Sequence, residues 1–339
     1  MERLLYLAHT ESDATLAKAA LEGLAAAVKL SADLALPLTV GLVGADVSAA
    51  ANSIAGCGAE RFVAVSGPEF GMARYSTDAA AAAAIVRAAG ATVVLAPGTS
   101  RFARALPGAT VRLGGRVDTR ITALRTEGGL SVQRWFYRQR MVGTLSREER
   151  PWVLLLDPGI EPAWAGAPGQ ANVETLEVAV PETRTKVIGT EAASVGPQTI
   201  RPDAKLLFVA GAGWTKKQAD GRPHVPEAES LIGAFLTTTQ ASLGSSKSLT
   251  DQTGEGQEII SFLTHLNQVG QTGSSPRHPK GLATCCHGEE PHVVGWRFVT
   301  ERRAVNLDPN CGWAQGKADV VYVADAFAVM RKVNELLGG

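Results

Sequence analysis

The sequence predicts an α/β protein of two domains, each built on a mainly parallel β-sheet. The chain has 339 residues and is 45% hydrophobic, which fits two domains of ordinary size rather than one small core. In its first third, short apolar runs alternate with Ala-rich stretches of helical period, as in strands joined by helices. A second alternating stretch begins near Lys205. We therefore expect domains over residues 1–196 and 197–339.

The first domain is predicted to begin as a parallel sheet. Its buried strands are expected at residues 3–8, 38–43, 61–65 and 92–96. The spacing of apolar residues predicts a helix over 14–30 and a second helix that ends at Ala89. Ser76 or Thr77 is the expected N-cap of that second helix, and Gly90 its stop.

The rest of the first domain is predicted to contain antiparallel hairpins. Alternating residues between 116 and 157 favour antiparallel strands, with turns at residues 128–129 and at Gly143. Residues 158–200 are rich in Pro, Gly, Glu and Thr, which is typical of a linker with about one strand.

The second domain is predicted to be a smaller parallel sheet. Its strands are expected at residues 206–210, 281–284, 304–306 and 320–324. Its helices are expected at residues 226–236, 257–266 and 326–337, with Gly338 just past the last one.

Composition excludes several functional classes. Lys and Arg total 33, as do Asp and Glu, so no basic excess indicates nucleic acid or an anionic membrane surface. No apolar run approaches the ~20 residues of a membrane-spanning helix, and the first residues are too polar for a signal peptide. Only four cysteines are present, which favours the reducing cytoplasm.

The most specific motif is the stretch of residues 268–273, QVGQTG, in which two glycines bracket Gln271 and Thr272. Glycines let the backbone approach a ligand, while the amide and hydroxyl offer directed hydrogen bonds. A flat polar heterocycle or a phosphate would fit there, and an ordinary surface loop is the alternative.

Two predicted strands end in polar residues. Asn306 and Asp308 follow one, and Asp325 follows the next. The carboxyl edge of a parallel sheet is where open α/β folds bind nucleotides, and a carboxylate there can bind ribose or ribityl hydroxyls. For Asp325, an N-cap of the last helix is the alternative interpretation.

These motifs, taken in order and spacing, resemble the alpha subunit of electron transfer flavoproteins. The matching elements are GQTG at 270–273, AVNLDP at 304–309 and VAD at 323–325, with a looser likeness across the first domain. The resemblance implies a nucleotide-hydrolase-like N-terminal domain that pairs with a beta subunit. It also implies a deoxyhypusine-synthase-like C-terminal domain that binds FAD. The beta subunit usually holds AMP or a second FAD.

The resemblance also assigns site residues. Gln271, Thr272 and Gly273 should lie along the isoalloxazine ring and phosphates, with Thr272 near the flavin N5. Asn306 and Asp325 should meet the adenosine end. His292 should lie near the flavin N1 and C2 carbonyl. The whole expected FAD-binding set is Ser246, Lys247, Gln271, Thr272, Gly273, His287, Gly288, His292, Asn306, Asp308 and Asp325.

Positive charge is lost relative to the family pattern. Ala212 stands where the family has arginine, Lys247 replaces another arginine, and Ser274 replaces a lysine. Lysine keeps the charge but loses the flat guanidinium fork. The nearby Arg277, His278 and Lys280 either compensate or form a solvated loop.

The resemblance implies an electron carrier rather than a substrate-transforming enzyme. It would pass electrons from a donor dehydrogenase, of acyl-CoA or N-methyl amine or glycine type, to a quinone-reducing or other redox acceptor. One alternative is a scaffold subunit of the same fold that has lost flavin binding. Another is a transferase on this nucleotide-binding fold. Cys285, Cys286 and Cys311 are interpreted as packed thiols, with a metal site or a redox thiol as alternatives.

Overall fold

The structure of the chain is a computed structural model. The structure describes residues 2–136, 141–180, 182–189, 201, 204–251, 258–269, 278–284, 299–309 and 318–338. The chain divides into two compact units, Met1–Thr190 and Glu191–Gly339, here called the first and second unit. Each unit contains one β-sheet with helices, so the predicted two-domain α/β class is confirmed.

The first unit is built on a nine-stranded mixed sheet. Its elements are β1 (Leu4–His9), α1 (Lys18–Leu34), β2 (Leu38–Gly44), α2 (Ser48–Ser53), β3 (Arg61–Ser66), α3 (Pro68–Gly71), α4 (Tyr75–Ala89), β4 (Val93–Pro97), α5 (Ser100–Arg112), β5 (Arg116–Arg125), β6 (Ser131–Phe136), β7 (Met141–Leu145), β8 (Trp152–Leu156) and β9 (Val173–Thr175). The strand order is β7-β6-β5-β8-β4-β1-β2-β3-β9. The β5–β6 and β6–β7 pairs are antiparallel, and every other neighbouring pair is parallel.

The centre of this sheet is buried on both faces. In β1, Leu4 and Tyr6 join one apolar core, while Leu5 and Leu7 join the other. Parallel strands covered by helices on both sides are therefore continuous apolar runs rather than alternating ones. For this reason the four predicted parallel strands are all present.

Several predictions for the first unit were wrong in detail. Helix α5 was not predicted because Pro107 lies inside it; Thr99 caps it by accepting a hydrogen bond from the Phe102 amide. Helix α4 follows Arg74, without a side-chain cap, whereas Ser76 or Thr77 was expected. Gly90 does end α4, in the left-handed region at φ 57°.

Gly143 was predicted in a turn, but it lies within β7 opposite Arg134. The ring of Phe136 covers it, and a Cβ at residue 143 would lie 2.6 Å from that ring. Arg134 in turn places its guanidinium 4.7 Å from the centre of the Phe136 ring. The glycine is thus required by an aromatic side chain packed across the strand pair rather than by a turn.

The second unit is a five-stranded parallel sheet. Its elements are β10 (Leu206–Ala210), α6 (Val225–Thr239), β11 (Ser242–Ser245), α7 (Lys247–Asp251), β12 (His278–Thr284), β13 (Val299–Asn306), β14 (Val320–Val323) and α8 (Ala326–Gly338). The strand order is β11-β10-β12-β13-β14, and each neighbouring pair is parallel.

Two expected features of the second unit are corrected. Residues 258–266 contain no α-helix; a single 3₁₀ turn, His265–Asn267, takes its place. The Thr264 hydroxyl accepts from the Leu266 amide, and the Asn267 carboxamide accepts from the Thr264 amide. Side chains that bond the local backbone in this way compete with a helix. Gly338 lies inside α8 rather than past its end.

Within the part of the chain that the structure describes, no helix has the length and apolar character needed to cross a membrane.

A buried carboxylate joins the antiparallel hairpin of the first unit to its parallel strands. Asp118 on β5 is 1% exposed and accepts hydrogen bonds from Trp152 Nε1 at 2.9 Å, Arg147 Nη2 at 2.9 Å and Arg134 Nη1 at 3.0 Å. Burial alone would raise the pKa of Asp118. The bonds from Arg147 and Trp152 and the charges of both arginines outweigh it, so the pKa lies below its ordinary value.

We expect Asp118→Asn to lower the free energy of unfolding by about 2 to 3 kcal/mol, because it removes a buried charge from two guanidinium partners. Urea unfolding followed by circular dichroism measures this loss. The matched control is Glu174→Gln, since the Glu174–Arg61 pair is exposed on both sides. That change should cost less than about 1 kcal/mol. Equal losses of unfolding free energy in Asp118→Asn and Glu174→Gln would contradict the stabilising role given to Asp118.

The pH dependence of stability, compared between wild type and Asp118→Asn, is a second test. Because the folded pKa of Asp118 is depressed, its contribution is complete above the unfolded Asp pKa of about 3.9. It is lost as the pH falls further, through the folded pKa. The stability difference between wild type and Asp118→Asn should therefore narrow below about pH 4.

Candidate functional site

The strands of the second unit all end at one edge of the sheet, and the chain reverses its direction of winding there. From β10, the first strand of this sheet in chain order, the chain passes to β11 on one side and later to β12 on the other. The 2-1-3-4-5 strand order places the topological switch point between β10 and β12. In open α/β sheets, ligands bind in the crevice outside such a point.

The loop after β10 is fixed at this switch point. The Gly211 amide donates to the Thr284 carbonyl at 2.9 Å, and Trp214 Nε1 donates to Thr284 Oγ1 at 2.9 Å. Trp214 is fully buried, with its ring 4.5 Å from that of Phe327 on α8. Trp214 is therefore a core residue.

At the end of β11, the structure brings unpaired polar atoms together. Ser246 is buried, and its hydroxyl accepts from the Leu249 amide in α7. Ser245 bridges to Gln268. The Ser245 hydroxyl and the Gln268 Oε1 are both buried, and neither has a hydrogen-bond partner. Such atoms require an explanation. The expected binding set contained neither residue: Gln268 lay in the stretch 268–273 but was not assigned to the cofactor, and a single serine such as Ser245 has no distinctive pattern.

At the end of β13, Asn306 is 4% exposed and its side-chain amide donates to the Asp308 carbonyl at 3.0 Å. Asp308 is exposed. The Asn306 carbonyl accepts from the Ala324 amide, so the segment before α8 is hydrogen-bonded to the same strand end. Asn306, Asp308 and Asp325 therefore lie at neighbouring strand ends, as the sequence predicts.

Asp325 caps the last helix. Its Oδ1 accepts from the Ala328 amide at 2.7 Å, which is the N-cap arrangement given above as the alternative. The second carboxylate oxygen of a capping aspartate remains available for a ligand.

Six of the expected site residues lie outside the described residues: Gln271, Thr272, Gly273, His287, Gly288 and His292. Lys247 begins α7, and its side chain also lies outside the description. The described residues next to these positions, Val269 and Thr284, lie at the carboxyl edge of the sheet. The Val269 amide donates to the Ser245 carbonyl at 3.0 Å, and Thr284 is the last residue of β12. Cys285, Cys286 and Cys311 are likewise outside the description.

His278 and Lys280 do not compensate for the lost charges, contrary to one expectation. Both lie on the amino-terminal half of β12, and His278 Nε2 bonds to Ser242 Oγ at the start of β11. The seven residues of β12 extend for roughly 20 Å, so His278 is at the opposite edge from Thr284.

The equivalent edge of the first unit is closed by its own side chains. At the end of β1, His9 Nε2 lies 3.0 Å from Thr99 Oγ1, and the His9 ring packs edge-on against Phe102. Burial lowers the pKa of His9, and the positive charge of Arg101 acts in the same direction. Arg101 forms a buried 2.7 Å ion pair with Asp78. These groups satisfy one another, which is typical of a structural cluster.

Replacing Asp325 separates its two roles. We expect Asp325→Ala to lower the unfolding free energy by about 1 kcal/mol, because Ala328 loses its capping acceptor. Asp325→Ser should stay within a few tenths of a kcal/mol of wild type, since serine caps helices nearly as well. Urea unfolding measures both. If Asp325 also binds a ligand, Asp325→Ser should bind that ligand more weakly although it is stable. Unchanged binding would show that Asp325 acts only as the helix cap.

Comparisons with known proteins agree with this organisation. The electron transfer flavoprotein domain matches residues 5–181, just over half of the chain. A search of individual curated proteins finds no significant match. The matched residues cover the nine-stranded sheet of the first unit, whereas the second unit lies beyond them. The chain therefore belongs to the electron transfer flavoprotein family.

Proposed function

We propose that this chain is the FAD-binding, alpha-type subunit of a heterodimeric electron transfer flavoprotein. The flavin would lie at the carboxyl edge of the second sheet. The observation that supports this most directly is a second parallel sheet of 2-1-3-4-5 order after the matched domain, with Ser246, Asn306 and Asp325 at one edge.

The described residues at this edge fit a dinucleotide. The unpaired Ser245 hydroxyl and Gln268 Oε1 match the hydroxyl and N–H groups that FAD offers. Leu307 and Val323 flank Asn306 and are 64% and 58% exposed. Apolar surface beside polar anchors suits a flat ring system.

The chain's own residues would bind and orient the cofactor rather than transform a substrate. A bound flavin supplies one- and two-electron redox chemistry, and the protein supplies position and electrostatics. Asn306 and Asp325 would hold the adenosine end. Ser246, Lys247 and the GQTG residues would hold the phosphates and ring.

The partners are inferred from the resemblance. A beta subunit would carry AMP or a second FAD. A donor dehydrogenase of acyl-CoA or N-methyl amine or glycine type would supply electrons, and a quinone-reducing or other redox protein would accept them. A cytoplasmic location stays a prediction from the sparse cysteines.

One observation favours a second candidate, a scaffold subunit that has lost its flavin. Ala212, at the position of the family's arginine, is completely buried in the apolar core with Phe208 and Trp214. The side chain at this position therefore offers no charge to a ligand.

The absorbance spectrum distinguishes the two candidates. We expect the full-length chain, co-expressed with its beta subunit and purified by gel filtration, to contain about one FAD per heterodimer. Dithionite should bleach the bands, because a bound flavin accepts electrons directly. Asn306→Ala should lower the flavin content, since it removes an anchor at the adenosine end. A colourless heterodimer that also fails to take up added FAD would contradict the proposal and favour the scaffold.

A further inference from the structure

The loop after β10 turns its first side chains inward. Residues 211–214 are all buried, and Ala212 and Trp214 belong to the apolar core below α6 and α8. Thr215 is also buried, and its hydroxyl donates to the Ala212 carbonyl. No charged side chain at position 212 could reach a ligand from this conformation without leaving the core.

The first side chains of this loop that reach solvent are two lysines. Lys216 is half-buried and Lys217 is exposed. Neither takes part in any of the salt bridges found among the described residues, whereas Arg331 on α8 pairs with Glu227 on α6. Two adjacent positive charges without a salt-bridge partner among the described residues therefore follow β10 and the buried turn of residues 211–215, in the loop at the switch point.

The backbone that presents them is held in place. The Gln218 side-chain amide donates to the Gly213 carbonyl at 3.1 Å and to the Lys216 carbonyl at 2.6 Å. The Lys216 amide donates to the Gly213 carbonyl at 3.2 Å. Because Trp214 anchors the other end of this turn, the backbone at residue 216 needs little ordering when a ligand binds.

We propose that Lys216 and Lys217 bind the phosphate groups of the dinucleotide and take over the charge that position 212 no longer provides. In doubly wound folds, the loop after the first strand, at the switch point, is the one that meets the phosphates. A lysine serves as a point charge for phosphate without the fixed geometry of an arginine. This inference rests on the proposed function, because it assumes that FAD binds at this edge.

The test measures the dissociation constant of FAD for the full-length heterodimer after its flavin has been removed by dialysis. Quenching of flavin fluorescence reports binding. The variants are Lys216→Ala, Lys217→Ala and the double change. The control is Lys280→Ala, an exposed lysine at the opposite edge of the same sheet. It changes the net charge by the same amount as either single variant but lies far from the switch point.

We expect the double variant to bind FAD at least about tenfold more weakly than wild type, because charge-assisted bonds to phosphate are lost. The salt dependence of its binding should also be shallower, since fewer charges meet the ligand. The control should bind as wild type does. Two results would separate this effect from misfolding. The flavin-free variants should unfold thermally as wild type does, or the double change Lys216→Gln with Lys217→Gln should lose the same FAD affinity.

The result that would overturn the inference is FAD binding by the double variant with the affinity and salt dependence of wild type. An equal loss in the Lys280→Ala control would also overturn it, because net charge alone would then explain the effect. Failure of the wild-type heterodimer to bind FAD is a different outcome: it removes the proposed function, and the inference with it.

Discussion

The hydrogen bond from Trp214 to Thr284 determines the arrangement of the second unit. A buried indole must satisfy its N–H, and Thr284 at the end of β12 provides the acceptor. The same ring packs against Phe327, so the loop after β10, the end of β12 and the start of α8 are held at one point. The residues at the carboxyl edge can then be positioned by the ends of rigid strands rather than by free loops.

The two units satisfy the polar groups at their sheet edges in different ways. In the first unit, His9 pairs with Thr99, and Arg101 pairs with Asp78, within the protein. In the second unit, the hydroxyl of Ser245 and the carbonyl oxygen of Gln268 are buried without partners. Buried polar atoms that lack partners cost free energy, so their retention at one edge favours a ligand there. The unpaired atoms of Ser245 and Gln268 therefore support the proposal that the cofactor binds at the edge of the second sheet.

Much of the fold could be predicted because parallel strands are buried on both faces. Strands such as β1 and β4 are uninterrupted apolar runs, and their pattern is unambiguous. Strand β11 was missed since its sequence, SLGS, is half polar. The helix expected at 257–266 was wrong because local side-chain bonds at Thr264 compete with helical ones, a choice that composition does not reveal.

The candidate site was only partly predictable, for a reason of geometry. Strand ends identified Asn306 and Asp325, since residues after buried strands gather at one edge. His278 and Lys280 were expected near the site because they follow the GQTG loop closely in sequence. They lie at the start of β12, which is at the opposite edge of the sheet. Ala212 points into the core together with Trp214, and no local sequence pattern predicts this orientation.

The central claim is that the flavin lies at the carboxyl edge of the second unit. Photocrosslinking of the full-length heterodimer with 8-azido-FAD, followed by peptide mapping, tests it most directly. The account predicts labelled peptides of this chain between residues 205 and 325, and competition by unlabelled FAD. Label confined to the first unit around His9 and Thr99, or to the beta subunit alone, would contradict it.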